Sequence, residues 1–227
     1  PDLRTVEKAE EWPEGICYLR LAGLYPDDGT NVLNTLTGWA ADSRAGVIMD
    51  LRDAAGSNLD AVDRICGIVV TTNALLYRVE DLHGTVLETH HAVPSGRSLG
   101  GLPLMVLVDG GTRAASELLG AVLRGRPGVM LLGSRTRGDG VLRESIPLSD
   151  ARLRIATRWL VPAEGVRYAG TGIDPDVVVT DLGGIRSVEN APEAGRDGRP
   201  LSSKAVLDRE LMERVAGDSV LGRATDI

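Results

Sequence analysis

The segment that decides the fold is residues 102–123, which read LPLMVLVDGGTRAASELLGAVL. Residues 102–108 form a short apolar run, typical of a strand that is buried on both faces of a sheet. Residues 109–112 carry turn-forming side chains, and residues 114–123 have a strongly helix-favouring composition. The segment therefore predicts a buried strand that turns directly into a helix, which is the repeating unit of α/β domains.

The same arrangement recurs on both sides of this segment. Upstream, residues 16–21 and 46–51 predict strands, and residues 59–71 place apolar side chains on one helical face. Downstream, residues 128–133 predict a further strand, and residues 142–161 alternate as a hairpin with its turn at 149–150. Strands followed by helices, three times over, predict an α/β fold class.

The composition narrows the classes of function. Apolar residues make up 43% of the 227 residues, which is enough for a substantial core, and the net charge of −7 is spread along the chain. No basic footprint for nucleic acid is present, so we expect no DNA or RNA partner. Two cysteines are too few for a disulfide framework, and we expect Cys17 and Cys66 to be buried free thiols.

Six short motifs occur in the order found in the tail-specific, or C-terminal-processing, serine peptidase family S41. They are GICYLRL at 15–21, DLRDAAGSNLD at 50–60, VDGGTRAASEL at 108–118, GSRTRGDG at 133–140, WLVP at 159–162 and GTGIDPDVVV at 170–179. Each motif is short and tolerant, but six in the same order are a specific signal. The chain resembles the core domain of that family, and the resemblance implies a ClpP/crotonase-like spiral of β-β-α units.

The resemblance also implies which positions would carry the chemistry. The family uses a serine nucleophile that is deprotonated by a lysine, because an isolated serine hydroxyl is a weak nucleophile. In this sequence the nucleophile position is occupied by Ala114, the base position by Asp139, and an assisting polar position by Gly125. The loss of all three functional side chains together favours natural divergence of the site over a single engineered change.

The oxyanion donors of the family are backbone N–H groups, which any side chain leaves in place. The resemblance places one donor at Gly56 or Ser57 and the other at Ala115. A peptide carbonyl would therefore still find hydrogen-bond donors in this chain, even without a nucleophile.

Two other sources of a nucleophile remain open. Ser116 is the nearest hydroxyl, but a shift of two helical positions rotates a side chain by about 200°, so it is expected to point elsewhere. A histidine-based site would use His83, His90 or His91, for which a surface position is favoured. No CxxC or HExxH spacing accompanies them, so we expect no metal and no cofactor.

The sequence favours a non-catalytic relative of the S41 peptidases that binds peptides or protein C-terminal segments. The alternatives are an active serine hydrolase using Ser116 or a histidine, and a module for small apolar ligands. We expect residues 1–14 to be a connector from an upstream region, residues 15–182 to be the peptidase-like core, and residues 183–227 to be a linker and C-terminal helix. That helix is expected to begin after residues 202–203, whose serines can cap it, and to end near residue 215. The resemblance also implies a periplasmic or other extracytoplasmic location, and the oligomeric state stays open.

Overall fold

The computed structural model describes residues 4–26, 29–40, 44–70, 73–94, 96, 98–99, 101–179, 215 and 217–225. The chain divides into two compact units, Pro1–Val178 and Val179–Ile227. Among the described residues, no helix has the length and apolar character that crossing a membrane requires.

The first unit is built on a six-stranded sheet. Its strands in spatial order are β1 (Val6–Glu11), β2 (Ile16–Leu21), β4 (Gly46–Asp50), β8 (Leu104–Val108), β9 (Val129–Gly133) and β12 (Val177–Val178). β1 runs antiparallel to β2, and the other neighbouring strands are parallel. The central strands β4 and β8 are buried almost throughout, as the continuous apolar runs of their sequences predict.

Three helices connect these strands and cover the sheet. They are α1 (Gly29–Trp39), α2 (Leu59–Val69) and α3 (Ala114–Leu123). α2 begins where the side chain of Asn58 accepts a hydrogen bond from the Ala61 N–H, a favourable N-cap. α3 is buried along most of its length, because nearly all its side chains are apolar and it follows the central strand β8 directly.

A second, antiparallel sheet contains β10 (Val141–Pro147), β11 (Arg152–Pro162), β6 (Leu75–Asp81) and β7 (Val86–His91), in that spatial order. A third sheet has only two short parallel strands, β3 (Gly23–Leu24) and β5 (Ala55–Gly56). One continuous apolar core joins β2, β4, β8 and β9 with the three helices and with residues of β6 and β11. Cys17 and Cys66 are buried in it as thiols, as expected.

Two terminal regions differ in secondary structure from the sequence-based expectation. Val6–Glu11 lies within the expected connector, yet it forms the edge strand β1. Its side chains are mostly exposed, so its sequence lacks the apolar alternation that would have revealed a strand. In the second unit, the described helix α4 (Ser219–Thr225) lies beyond the expected end near residue 215, and residues 180–214 lie outside the described part of the chain.

Candidate functional site

An open cavity of about 710 Å³ lies at the N-terminus of α3. Its lining contains Gly56, Ala114 and Asp139, three of the positions that the sequence assigned to the site. The rest of the lining is Ala55, Arg113, Arg137, Gly138, Arg143 and Arg154. The fold thus brings the positions predicted for the nucleophile, the base and one oxyanion donor to a single cavity.

Ala114 has an unusual backbone conformation. Its φ is +53°, in the left-handed region that side chains other than glycine rarely adopt, and the preceding Arg113 is extended. The sharp change of direction places the Ala114 methyl group at the cavity wall, beside the free N–H groups of the first helical turn. Such strain, of order 1–3 kcal/mol, persists only where surrounding contacts enforce it, and it is common where a fold presents a reactive side chain.

The loop after β4 is tied to the start of α3 by three hydrogen bonds. The Thr112 hydroxyl donates to the Leu51 carbonyl at 2.8 Å, and the Arg113 N–H donates to the Ala54 carbonyl at 2.9 Å. The buried Ser116 hydroxyl donates to the Ala55 carbonyl at 2.5 Å. All three acceptors are main-chain atoms, so these three hydrogen bonds do not require particular side chains in the loop.

These contacts also orient the Gly56 N–H. The carbonyl of Ala55 points to Ser116, and in a trans peptide the N–H of the next residue points the opposite way. Only glycine fits here, since φ is +115° and a Cβ would lie 2.1 Å from the Leu24 oxygen. The alternative prediction, that Ser57 supplies the donor, is wrong. The Ser57 N–H donates to the Leu24 carbonyl at 2.9 Å and is therefore not available to a ligand.

Asp139 lies in the loop between β9 and β10, where its carboxylate forms an ion pair with Arg143. The loop is fixed by Glu117, a fully buried residue on α3. The Glu117 carboxylate accepts hydrogen bonds from the Thr136 hydroxyl and from the N–H groups of Gly138 and Asp139, the latter two at 2.6 Å. Burial raises the pKa of Glu117, and these hydrogen bonds offset the effect only in part.

Glu117 was assigned no part of the site from the sequence, so its role was missed. Its carboxylate joins α3 to the Asp139 loop across 19 to 22 positions in sequence. A buried carboxylate on an otherwise apolar helix is the signal that would have identified it, because such a group needs partners.

Three further positions that the sequence assigned to the site, Ala115, Ser116 and Gly125, are absent from the cavity lining, and Ala115 is buried. Ser116 is fully buried with its hydroxyl engaged by Ala55. Gly125 follows the C-terminal end of α3 and lines a different cavity, together with Arg124 and Asp176. A ten-residue helix is about 15 Å long, so Gly125 stands far from Ala114 and does not supply an assisting position there.

The charged residues at the end of β4 form an ion-paired cluster. Asp50 is completely buried and accepts hydrogen bonds from Arg52, from Arg20 at 3.0 Å and from the Tyr18 hydroxyl at 2.8 Å. Burial alone would raise the pKa of Asp50, but the charge and hydrogen bonds of Arg52 outweigh it and hold the pKa below its usual range. Asp50 and Arg52 therefore form a structural ion pair at the end of β4, and neither of them lines the Ala114 cavity.

His90 differs from the favoured surface position. It is partly buried, its ring stacks on Tyr77 with centroids 4.3 Å apart, and its Nδ1 lies 2.8 Å from the Asp63 carboxylate. It does not line the Ala114 cavity, and His83 and His91 are exposed. Within the described ranges, no group of three or more His, Cys, Asp or Glu side chains is arranged to hold a metal ion.

Comparisons with known proteins agree with the motifs. A sequence model of the family described as Peptidase family S41 matches residues 15–179. A C-terminal processing peptidase, chloroplastic, from Tetradesmus obliquus is 29% identical over 188 residues, which are 79% of this chain and 39% of that protein. A carboxy-terminal-processing protease from Bartonella bacilliformis is 29% identical over 143 residues, 61% of this chain and 32% of that protein. The chain thus spans less than half the length of these relatives.

Solved structures share the fold. A photosystem II D1 C-terminal processing protease superposes with a TM-score of 0.65 at 25% identity, covering 72% of this chain and 42% of that chain. A putative peptidase from Parabacteroides merdae gives a TM-score of 0.64 at 24% identity, covering 77% and 57%. The predicted α/β class is confirmed, and the fold is of the ClpP/crotonase-like type. Since the family match extends over residues 15–179 of 227, this chain belongs to peptidase family S41.

Proposed function

We propose that this chain is a non-catalytic member of the S41 peptidases that binds an extended polypeptide at the α3 cavity. The observation that carries the proposal is that Ala114 and Asp139 line one cavity. The sequence resemblance assigns these two positions to the family's serine and lysine. A methyl group cannot form an acyl-enzyme bond, so the family's covalent route is closed. The Asp139 carboxylate is held by Arg143 and has no hydroxyl to deprotonate there.

The alternative nucleophiles are not supported by their surroundings. The Ser116 hydroxyl is buried and donates to Ala55, whereas an attacking serine must face a substrate and a base. His90 contacts Asp63 and Tyr77 and lies outside the cavity lining. A small apolar ligand would meet four arginine side chains in this cavity, which disfavours that alternative as well.

Peptide binding is supported by the main-chain groups at the cavity wall. The Ser57 N–H donates to the Leu24 carbonyl of β3. Because the main-chain groups of successive residues in a parallel strand point in alternate directions, the N–H and C=O of Gly56 face away from β3. An extended peptide can pair with such an open edge by strand addition. The N–H groups at the start of α3 offer further donors beside it.

The proposal also covers the partners of the protein, the division of its chain and its location. We infer that protein C-terminal segments are the partners and that residues 15–182 are the peptide-binding core, flanked by a connector and a C-terminal linker. An extracytoplasmic location is proposed from the family resemblance, and cell fractionation with an antibody against this chain tests it.

The proposal is tested by activity and binding measured on the same preparation. We expect no cleavage of fluorogenic peptides, no labelling by a fluorophosphonate probe, and measurable binding of unstructured ten-residue peptides by calorimetry. Labelling that disappears in a Ser116→Ala variant would overturn the assignment of a silent site. Absence of binding to every peptide in a diverse panel would overturn peptide binding.

The double variant Ala114→Ser with Asp139→Lys tests whether the frame of the site is preserved, meaning the main-chain donors at the α3 N-terminus and at Gly56. We expect it to gain fluorophosphonate labelling at residue 114, because the helix N-terminus and the Gly56 N–H would stabilise the adduct. The matched control is Ala115→Ser with Asp139→Lys, in which the hydroxyl stands on the adjacent buried residue. Equal labelling of both double variants would contradict a preserved frame.

A further inference from the structure

The Ala114 cavity is strongly positive, although the chain as a whole carries a net charge of −7. Four arginines line it from four separate places in the fold, against one aspartate. Arg113 precedes α3, Arg137 lies in the loop after β9, Arg143 lies on β10 and Arg154 on β11. The fold therefore assembles this group of arginines from separate parts of the sequence, and the group is not a run of neighbouring basic residues.

Three of these guanidinium groups have no acidic partner in the part of the chain that the structure describes. Arg143 pairs with Asp139, whereas Arg113 makes only a long contact of 3.4 Å with the Gly111 carbonyl. Arg137 and Arg154 form no side-chain ion pair with any described residue. Most described arginines elsewhere are paired, for example Arg44 with Glu11 and Arg135 with Asp174.

The β10–β11 hairpin presents three of its arginines on one face and apolar side chains on the other. In its register Arg143 is opposite Ala156, Ser145 is opposite Arg154 and Pro147 is opposite Arg152, so the three arginines share one face. The other face carries the exposed apolar side chains Ile146, Leu148, Leu153 and Ile155. The basic face is the one that contributes Arg143 and Arg154 to the cavity.

We propose that the cavity is a carboxylate-recognition site, and that the polypeptide it binds is an acidic one. This inference rests on the proposed peptide-binding function and names the chemistry of its ligand. The planar guanidinium group binds a carboxylate through two parallel hydrogen bonds, which gives geometric specificity as well as attraction. The volume of about 710 Å³ exceeds the needs of one small anion and accommodates several residues of a peptide.

The carboxylates can come from acidic side chains or from the chain end, and three ten-residue peptides distinguish these sources. The first carries two central aspartates and an amidated C-terminus, the second has asparagines in their place, and the third is the asparagine peptide with a free C-terminus. Calorimetry at 50 mM and 500 mM salt gives their affinities. We expect the first or third peptide to bind at least tenfold more tightly than the second at low salt, with the preference reduced at high salt.

The double variant Arg137→Gln with Arg154→Gln removes two of the unpaired cations. We expect it to lose at least tenfold in affinity for the preferred acidic peptide and to lose clearly less in affinity for the amidated asparagine peptide. Arg64→Gln is the control, since Arg64 is exposed on α2, pairs with Asp60 and lies outside the cavity. A single Arg154→Lys variant keeps the charge and should retain an intermediate affinity, and circular dichroism reports whether each variant is folded.

The outcomes separate this inference from the function on which it rests. Equal binding of all three peptides would overturn carboxylate recognition and leave peptide binding intact. Binding of none of them would overturn both. An equal loss of affinity in Arg64→Gln and in the double variant would show a general charge effect and would also overturn the site.

Discussion

Ser116 donates a hydrogen bond of 2.5 Å to the carbonyl oxygen of Ala55, which joins the first turn of α3 to the short strand β5. The Ser116 side chain is fully buried, and its acceptor belongs to the peptide unit whose N–H is that of Gly56. The serine nearest to the nucleophile position therefore serves to hold a main-chain donor in place.

The first prediction concerns this bond. Ser116→Ala would leave the Ala55 carbonyl without its side-chain donor, and we expect a loss of about 1–2 kcal/mol in the free energy of unfolding. Urea denaturation followed by circular dichroism measures it. Ser145→Ala on the exposed face of β10 is the matched control and should change stability by less than about 0.5 kcal/mol. Equal effects of the two substitutions would show that the Ser116 bond contributes nothing.

The second prediction concerns the left-handed conformation of Ala114. Glycine relieves the strain at a φ of +53° but loses more chain entropy on folding, so the two effects nearly cancel. We expect Ala114→Gly to change the free energy of unfolding by no more than about 0.5 kcal/mol. Ala115→Gly, inside the helix and buried, should cost about 1 kcal/mol or more. Thermal unfolding of both variants checks the contrast, which would be absent if Ala114 were unstrained.

The third prediction concerns the pH dependence that Glu117 contributes. Because its pKa is raised in the folded state, the unfolded chain binds fewer protons at this residue between the ordinary value, about 4.3, and the raised one. The stability contribution is therefore fully present below the ordinary pKa and declines as the pH rises towards the folded pKa. We expect the wild type to lose stability relative to Glu117→Gln over that window.

Urea titrations of the wild type and of Glu117→Gln at pH 4, 5, 6 and 7 measure this difference. Its slope cannot exceed about 1.4 kcal/mol per pH unit for one proton. Asp50 has the opposite effect, since its pKa is lowered: its contribution to stability is present above the ordinary aspartate range and is lost as the pH falls. Both proteins contain Asp50, so the comparison between them cancels this effect. A difference that stays constant with pH would contradict a raised pKa for Glu117.

Local sequence signals predicted the framework well. The predicted helix at residues 114–123 is the observed α3, and the hairpin with its turn at 149–150 is the observed β10–β11 pair. The α3 segment has a helix-favouring composition, and the hairpin alternates along its strands. β1 was not expected, because an exposed edge strand has no such pattern to recognise.

The site was harder to predict wherever it depends on contacts between distant segments. The family resemblance did not separate Gly56 from Ser57, because the choice depends on which N–H is already bonded to Leu24. The resemblance also assigned Gly125 to the site, whereas the length of α3 carries that residue away from the cavity. The four cavity arginines, spread over 42 positions from 113 to 154, gave no local signal at all.

Three of the bonds that shape the cavity end on main-chain atoms: Thr112 on Leu51, Arg113 on Ala54, and Ser116 on Ala55. None of these three bonds involves the side chain of residue 114 or residue 139. Reactive groups can thus be exchanged at this location during evolution without dismantling the architecture around them, which makes the protein a suitable host for installing new chemistry by design.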